Sequence, residues 1–150
     1  MQQELISEAR SWLGVKFAHQ GRSKLTGCDC IGLIIGVAGA LALRSKCGKF
    51  ITACDYLNYS PLPSDNKLEQ ELNAHLHYRG KDLSVAVPGD IALLAFAKNP
   101  QHLAIIGDAC YDGVMAQTLI HAYSGVGSVC EHRLDARWGR RVVGVYGFVV

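Results

Sequence analysis

Residues 27–34 read Gly27-Cys28-Asp29-Cys30-Ile31-Gly32-Leu33-Ile34, and they place a cysteine where a polar loop gives way to a long apolar run. The run from Ile31 to Leu43 is shorter than the ~20 residues of a membrane-spanning helix, so it is interpreted as the buried central helix of the core. The first turn of a helix has unpaired N–H groups and the positive end of the helix dipole, and both favour a thiolate. Cys30 is therefore the candidate nucleophile.

The composition is typical of one globular domain, which we assign to residues 1–150. The chain has 150 residues, of which 49% are hydrophobic and 19% charged, and this is enough apolar content for a sizeable core. A net charge of +2 is too small to indicate nucleic-acid binding. The polar and acidic start, Met1–Leu5, does not resemble an export signal, so we expect synthesis in the cytoplasm without a signal peptide and no membrane insertion.

Apolar residues at helical spacing predict two further helices. The first spans Gln3–Leu13 and ends before Gly14. The second spans Asp65–Leu76, after a loop at residues 58–63. The central helix contains several glycines, which weaken its helix propensity but allow another element to approach closely.

From Pro88 onward the pattern changes to short runs typical of β-strands. Helices first and strands later predict an α+β fold, with N-terminal helices packed on a central antiparallel sheet. The predicted strands are Ile91–Ala97, His102–Gly107, Val114–Tyr123, Val129–Leu134 and Val142–Val150.

A cysteine nucleophile needs a nearby base, and the base needs a third polar group to orient it. His102 opens one predicted strand and His121 lies near the end of the next, with a turn within residues 108–113. The register of the hairpin decides how the two histidines are placed. Direct pairing puts them opposite each other, and the register of a tight Asp112-Gly113 turn puts them on a diagonal of the same face. A slip of one residue puts them on opposite faces. With the helix start packed against that face, we predict a Cys30, His102, His121 triad. For His102 alone, a hydrogen-bonded residue of the core or sheet edge is the alternative.

The remaining cysteines and histidines are assigned no catalytic role. The six cysteines are expected to be mostly reduced, because a chain with this much core needs no disulfides. We expect no metal and no cofactor: structural zinc sites favour two to four residues between paired cysteines, which disfavours a site built from Cys28, Cys30, Cys47 and Cys54. Three histidines lie in surface-like segments and are expected to be solvated, namely His75, His77 and His132.

Five short stretches, taken in order, carry a family pattern. They are Phe17-Ala18-His19-Gln20-Gly21, Gly27-Cys28-Asp29-Cys30-Ile31-Gly32-Leu33, Pro88-Gly89-Asp90-Ile91, His102-Leu103-Ala104-Ile105 and His121-Ala122-Tyr123. Together they cover nearly the whole chain and resemble the NlpC-type family of papain-like cell-wall cysteine peptidases. Residues 19–22, His-Gln-Gly-Arg, most resemble the branch associated with bacteriophage tails and gene transfer agents.

This resemblance implies a papain-like α+β fold and hydrolysis of amide bonds in peptidoglycan stem peptides, commonly between D-glutamate and a diamino acid. By the same similarity Cys30 would attack to give a thioester, His102 would be base and then acid, and His121 would be the third polar residue. The backbone N–H of Cys30 would be one oxyanion donor. The implied setting is a tail-associated lysin, with phage-tail or gene-transfer-agent proteins as partners.

Two other functions remain open from the sequence. The same acyl-enzyme can be intercepted by an amine, as in papain-like acyltransferases, or the domain can act as a thioesterase. A structural tail-assembly module with a vestigial site is the non-enzymatic alternative.

One position departs from the family pattern. Much of the family has a tyrosine upstream of the nucleophile whose hydroxyl assists the oxyanion, and this chain has Phe17. We hypothesise that His19 or Gln20 replaces that donor, with loop packing as the alternative for both. Asp29 either caps the central helix or contacts an amine of the stem peptide. Cys28 is expected to have no chemical role.

Overall fold

A six-stranded antiparallel sheet carries the fold, and helices pack against it. The computed structural model describes residues 1–61 and 65–149. In chain order the elements are α1 (Gln2–Arg10), β1 (Arg22–Ser23), β2 (Gly27–Cys28), α2 (Cys30–Ala40), a 3₁₀ turn (Ile51–Cys54), α3 (Lys67–His75), β3 (His77–Gly80), a second 3₁₀ turn (Leu83–Val85), β4 (Ile91–Ala95), β5 (Pro100–Tyr111), β6 (Val114–Tyr123), β7 (Ser128–Arg133), α4 (Ala136–Gly139) and β8 (Val142–Gly147). The large sheet has the order β3-β8-β4-β5-β6-β7, which confirms the predicted α+β fold.

The main differences from the predicted elements concern strands. The predicted elements did not include β3, an exposed four-residue edge strand that pairs with β8 near the end of the chain. Strand β5 continues to Tyr111, so the turn to β6 is Asp112-Gly113 alone. Both turn residues have positive φ, 51° and 80°, as a two-residue hairpin turn of type I′ requires. Parts of two predictions, residues 62–63 of the loop and Val150 of the last strand, lie outside the described residues.

The sheet has a hydrophobic core on each face. Alternate residues of β5 divide between the two cores: Leu103 and Ile105 join the core formed with α1 and α2, whereas Ala104 and Ile106 join a second core around Trp138 of α4. The described helices include none that is long and apolar enough to cross a membrane.

Two glycines allow the neighbours of α2 to approach it closely, as predicted. A Cβ at Gly36 would lie 2.1 Å from the Trp12 ring, and one at Gly32 would lie 2.0 Å from the carbonyl oxygen of Gly21. Gly32 therefore lets the loop before β1 close over the first turn of the helix, directly beside Cys30.

Candidate active site

Cys30 is the first residue of α2 and faces a cavity of about 440 Å³. The preceding residue, Asp29, is the N-cap: its Oδ1 accepts a 2.8 Å hydrogen bond from the backbone N–H of Gly32. His102 lines the same cavity, and Phe96 packs against the His102 ring. The structure thus brings the predicted nucleophile and the predicted base to one cavity.

Three histidines form a hydrogen-bonded chain behind the cavity. Nε2 of His102 lies 2.6 Å from Nδ1 of His121, and Nε2 of His121 lies 2.8 Å from Nε2 of His132. The ring of His121 is fully buried, stacked on Tyr123 and edge-to-face with Trp138. We refer to His102, His121 and His132 as the histidine chain.

The far end of the histidine chain fixes the tautomer of each ring. Nδ1 of His132 lies 3.0 Å from the backbone oxygen of Arg133, and because a carbonyl can only accept, this nitrogen must carry the proton. In neutral rings, Nε2 of His132 is then an acceptor for His121, and Nδ1 of His121 is an acceptor for His102. Nδ1 of His102 is left unprotonated, so it is the nitrogen able to take a proton from a thiol.

The expected solvation of His132 is wrong, because this ring contacts His121 and packs on Trp138. The register explains why. Strand β6 pairs with β7 so that His121 is opposite Cys130, which puts His132 on the neighbouring diagonal of the same face. Strand β6 pairs with β5 in the register of the tight turn, so His102 and His121 are also diagonal neighbours.

The expected packing of the helix start on the histidine face is also wrong. His121 and His132 contact Trp138 in the second core, whereas α2 packs on the opposite face of the sheet. Cys30 instead sits beside β5, where the backbone amide of Leu103 hydrogen-bonds to its thiol. The nucleophile and the base therefore line the same cavity, although they belong to different layers.

Burial sets the protonation states of the pair. Burial, with a smaller contribution from the Asp29 charge, raises the pKa of the Cys30 thiol to about 12, and backbone amides of Leu103, Ile31 and Cys30 only partly offset it. Burial lowers the pKa of His102 to about 3. Burial therefore opposes the resting thiolate expected from the sequence: helix-start amides do reach the sulfur, but burial favours a neutral Cys30 thiol and a neutral His102 imidazole.

Burial also governs the middle of the histidine chain. It lowers the pKa of His121 to about 2, and the neighbouring His102 and His132 act in the same direction, because each would repel a second positive charge. The middle ring is thus held neutral, as its hydrogen-bond pattern requires.

Asp29 is the centre of a buried carboxylate network. Its Oδ1 accepts from Gly32 and from Arg22 at 3.0 Å, and its Oδ2 accepts from the backbone of Gln20 at 2.8 Å and from the hydroxyl of Tyr59. Four donors fill the accepting capacity of a carboxylate. Asp29 therefore caps the helix and links it to neighbouring segments, and it has no free lone pair for a substrate amine. Arg22 also pairs with Asp55. The network joins the helix start to residues 55–59, the segment whose Tyr56, Asn58 and Tyr59 form one wall of the cavity.

The two proposed oxyanion donors have different environments. The Gln20 side-chain amide donates to the carbonyl oxygens of Leu57 and of Tyr59, which occupies both of its N–H groups in loop packing. His19 is exposed, lines the cavity and contacts the Tyr59 ring edge-to-face.

Sequence reasoning missed Tyr56 as a cavity residue. Tyr56 lines the same cavity as Cys30, and burial, followed by the charge of Glu71, raises the Tyr56 pKa to about 12, so its hydroxyl stays a donor. Tyr56 comes from the 55–59 wall, far from the Phe17 position in sequence.

Two groups of side chains in the described ranges bring metal-ligating atoms within 4.8 Å of one another. One is Cys47, Cys54 and His75, and the other is His121, Cys130 and His132. Neither is the set considered from sequence, because Cys28 is buried in the core and Cys30 lines the cavity.

Structures of known proteins share this fold. The chain superimposes on an NlpC/P60 family protein from Bacillus cereus with a TM-score of 0.64 and 18% identity, covering 100% of this chain and 41% of that one. It superimposes on the NlpC/p60 domain of the peptidoglycan hydrolase SagA with a TM-score of 0.60 and 19% identity, covering 97% of each chain. It also matches an N-acetylmuramoyl-L-alanine amidase from Bacteroides uniformis with a TM-score of 0.56 and 14% identity, covering 99% of each. No family model and no curated protein matches the sequence. The fold is therefore the NlpC/P60 fold.

Proposed function

We propose that this protein is a cysteine peptidase that hydrolyses amide bonds in peptidoglycan stem peptides, of the D-glutamyl-diamino acid endopeptidase type. The observation that carries the proposal is that Cys30 and His102 line one cavity and that His121 hydrogen-bonds to His102 behind it, with the tautomers set so that Nδ1 of His102 is free to accept a proton. The shared fold with a peptidoglycan hydrolase domain supports the same substrate class.

The cavity has charges of both signs for such a substrate. Asp65 and Lys67 both line it, and Lys67 is held above the Tyr56 ring at 5.0 Å. Stem peptides carry free carboxylates and, at the diamino acid, a free amine. A cavity with one anion and one cation at its rim can bind a peptide of this kind through both groups.

The chemistry begins with a neutral pair. As the thiol of Cys30 attacks the amide carbon, its proton passes to Nδ1 of His102, and the resulting imidazolium donates from Nε2 to neutral His121. The tetrahedral intermediate then collapses to a thioester while His102 returns the proton to the leaving amine. Water, deprotonated by His102, hydrolyses the thioester and restores the thiol.

The oxyanion of this intermediate needs two donors. The backbone N–H of Cys30, at the start of α2, supplies one. For the second we propose His19, with Tyr56 as the rival donor, because both line the cavity and the Gln20 amide is engaged elsewhere. Loss of acylation in His19→Ala but not in Tyr56→Phe would assign the donor to His19; the reverse result would assign it to Tyr56.

The test of the activity is digestion of purified peptidoglycan and of soluble stem peptides, with mass spectrometry of the new termini. Wild type and Cys30→Ala are compared, and Cys110→Ala, which changes an exposed cysteine elsewhere, is the matched control. New termini between D-glutamate and the diamino acid, present in wild type and control but absent in Cys30→Ala, are expected.

Other outcomes distinguish the alternatives. Release of L-alanine termini from the glycan would indicate an amidase. Products joined to an added amine would indicate acyl transfer. Equal products from wild type and Cys30→Ala would refute the mechanism, and no products from several wall types would favour a structural module.

We further propose that the protein works as part of a phage-tail or gene-transfer-agent particle. The support is the His-Gln-Gly-Arg segment at residues 19–22, whose Gln20 and Arg22 build the carboxylate network beside the nucleophile. Purified particles should contain the protein by mass spectrometry, and its absence from particles of a producing strain would refute this association.

A further inference from the structure

A cluster of two cysteines and a histidine lies away from the catalytic cavity. Cys47 is on an exposed turn, Cys54 ends the 3₁₀ turn Ile51–Cys54, and His75 is the last residue of α3. Their ligand atoms all lie within 4.8 Å of one another. The three residues come from separate segments, so the fold, not local sequence, brings them together.

His75 has the arrangement of a metal-bound histidine. Its Nε2 lies 3.2 Å from a carboxylate oxygen of Glu71, one helical turn earlier. Its Nδ1 is buried. Among the buried side-chain nitrogen and oxygen atoms of the described residues, this Nδ1 is the one that has no hydrogen-bond partner. A buried, unsatisfied nitrogen costs free energy unless a ligand uses it, and metal-bound histidines characteristically donate their other nitrogen to a carboxylate.

The backbone around the cluster is already fixed. The amide of Lys46 donates to the carbonyl of His75 at 3.0 Å, which holds the Cys47 turn against the end of α3. The ammonium of Lys46 donates to the carbonyl of Asn73 at 2.6 Å. The thiol of Cys54 donates to the carbonyl of Phe50 at 3.6 Å. Rotation of two cysteine side chains is therefore the main movement that a metal would require.

The distances suit a tetrahedral ion after a small contraction. Bonds of about 2.3 Å to sulfur and about 2.0 Å to nitrogen place neighbouring ligand atoms about 3.5 to 3.8 Å apart in a tetrahedron. Because the three ligand atoms all lie within 4.8 Å of one another, each pair has to close by at most about 1.3 Å to reach these distances. The Ser45 hydroxyl lies 2.8 Å from the Cys47 sulfur, where it can donate a hydrogen bond to a metal-bound thiolate.

We propose that Cys47, Cys54 and His75 bind a zinc ion or a similar soft divalent cation, with Glu71 orienting the imidazole. Two thiolates and an imidazole are the donor set that selects zinc over calcium or magnesium. Binding replaces the two thiol protons, which are released to solvent, and leaves a fourth position open to water on the exposed side of Cys47. The proposed site does not depend on the proposed peptidase activity.

The site lies where it can hold the cavity wall in place. Residues 55–61 begin directly after Cys54, and Asp55 and Tyr59 of this segment tie to Arg22. A metal that joins Cys54 to the end of α3 therefore anchors the start of the wall that carries Tyr56.

The test is an anaerobic titration of the reduced, full-length protein with Co²⁺, followed by displacement with Zn²⁺. Thiolate-to-cobalt charge transfer and the intense visible bands of a tetrahedral ion are expected in wild type. Cys54→Ser and His75→Asn should each weaken binding by more than about 100-fold, and Glu71→Gln by about 10- to 100-fold with the bands retained.

Two matched controls separate this cluster from the other thiols. Cys110→Ser changes a lone exposed cysteine, and Cys130→Ser removes the thiol of the second cluster, beside His121 and His132. Both should bind Co²⁺ as wild type does. The proposal is overturned if reduced wild type, with free thiols shown by titration, gives no charge-transfer band, if the band persists in both Cys54→Ser and His75→Asn, or if Cys130→Ser abolishes it.

Discussion

His132 provides the sharpest test of the histidine chain, because it is far from the thiol and acts only through the tautomer of His121. Its Nε2 accepts from the Nε2–H of His121 at 2.8 Å, and its own Nδ1–H is anchored on a carbonyl at 3.0 Å. His132→Phe keeps a ring against Trp138 but removes the acceptor. The proton on Nε2 of His121 would then be buried without a partner.

The expected loss of activity follows from this His121 N–H, which is left without an acceptor. An unsatisfied buried donor costs about 1 to 3 kcal/mol, and His121 can avoid the cost by moving its proton to Nδ1. That change forces His102 to carry its proton on Nδ1, where it can no longer accept from Cys30. A shift of about 1 to 2 kcal/mol toward this inactive tautomer lowers kcat/KM by about 5- to 30-fold.

Two measurements follow the effect. Hydrolysis of a soluble stem peptide gives kcat/KM, and ¹⁵N NMR of the histidine rings reports which nitrogen of His102 is protonated, whether or not the peptide is the true substrate. His132→Gln, whose side-chain carbonyl can replace the acceptor, should recover most of the loss, and His77→Phe, at an exposed site, should have no effect. An unchanged His102 tautomer and unchanged turnover in His132→Phe would refute the reasoning.

Three further predictions concern the pH dependence, the packing and the thiol. Burial lowers the pKa of His102 from 6.5 to about 3 and that of His121 to about 2, so the unfolded chain binds more protons than the folded chain below pH 6.5, and stability falls as the pH drops from there toward 3. Together the two histidines should lower the free energy of unfolding by about 3 kcal/mol between about pH 7.5 and about pH 5.5, as measured by urea unfolding. A flat profile of stability against pH would contradict this. Gly32→Ala should lower the free energy of unfolding by about 3 kcal/mol or more, because its Cβ would lie 2.0 Å from a backbone oxygen. Gly39→Ala in the same helix is the control: its Cβ would meet a methyl group at 3.0 Å, and the same assay should show no change or a gain of up to about 1 kcal/mol. Iodoacetamide should alkylate Cys30 slowly near neutral pH, with a rate that rises steadily toward the pKa of about 12, as followed by peptide mass mapping; a fast plateau at acidic pH would instead show a thiolate-imidazolium pair.

The features that the sequence predicted well are set by local chemistry. The 27–34 stretch shows the helix start because Asp29 is a good cap and an apolar run follows it. The tight Asp112-Gly113 turn limits the register of its hairpin, and that register alone brings His102 and His121 to one face. None of these inferences needs knowledge of distant contacts.

The features that it missed depend on distant partners. Strand β3 is exposed and gains its order from pairing with β8, almost seventy positions later, so its own residues show no strand pattern. His132 looks like a surface residue until the β6–β7 register places it beside His121. The raised pKa of the Cys30 thiol comes from burial by residues distant in sequence, which no local motif encodes.

The histidine chain and the raised thiol pKa together define how this site can work. A triad that ends in a carboxylate supplies a countercharge for the imidazolium, but here the chain ends at an imidazole, His132, and a backbone carbonyl, neither of which supplies a negative charge. The imidazolium of His102 therefore gains only a hydrogen bond to His121 when it forms, and a resting ion pair with Cys30 is not favoured. Charge separation has to be stabilised by the oxyanion donors at the moment of attack, since that is when a negative charge appears opposite the imidazolium. The second oxyanion donor, at His19 or Tyr56, thus has more influence on the rate here than in a site whose thiolate is already formed.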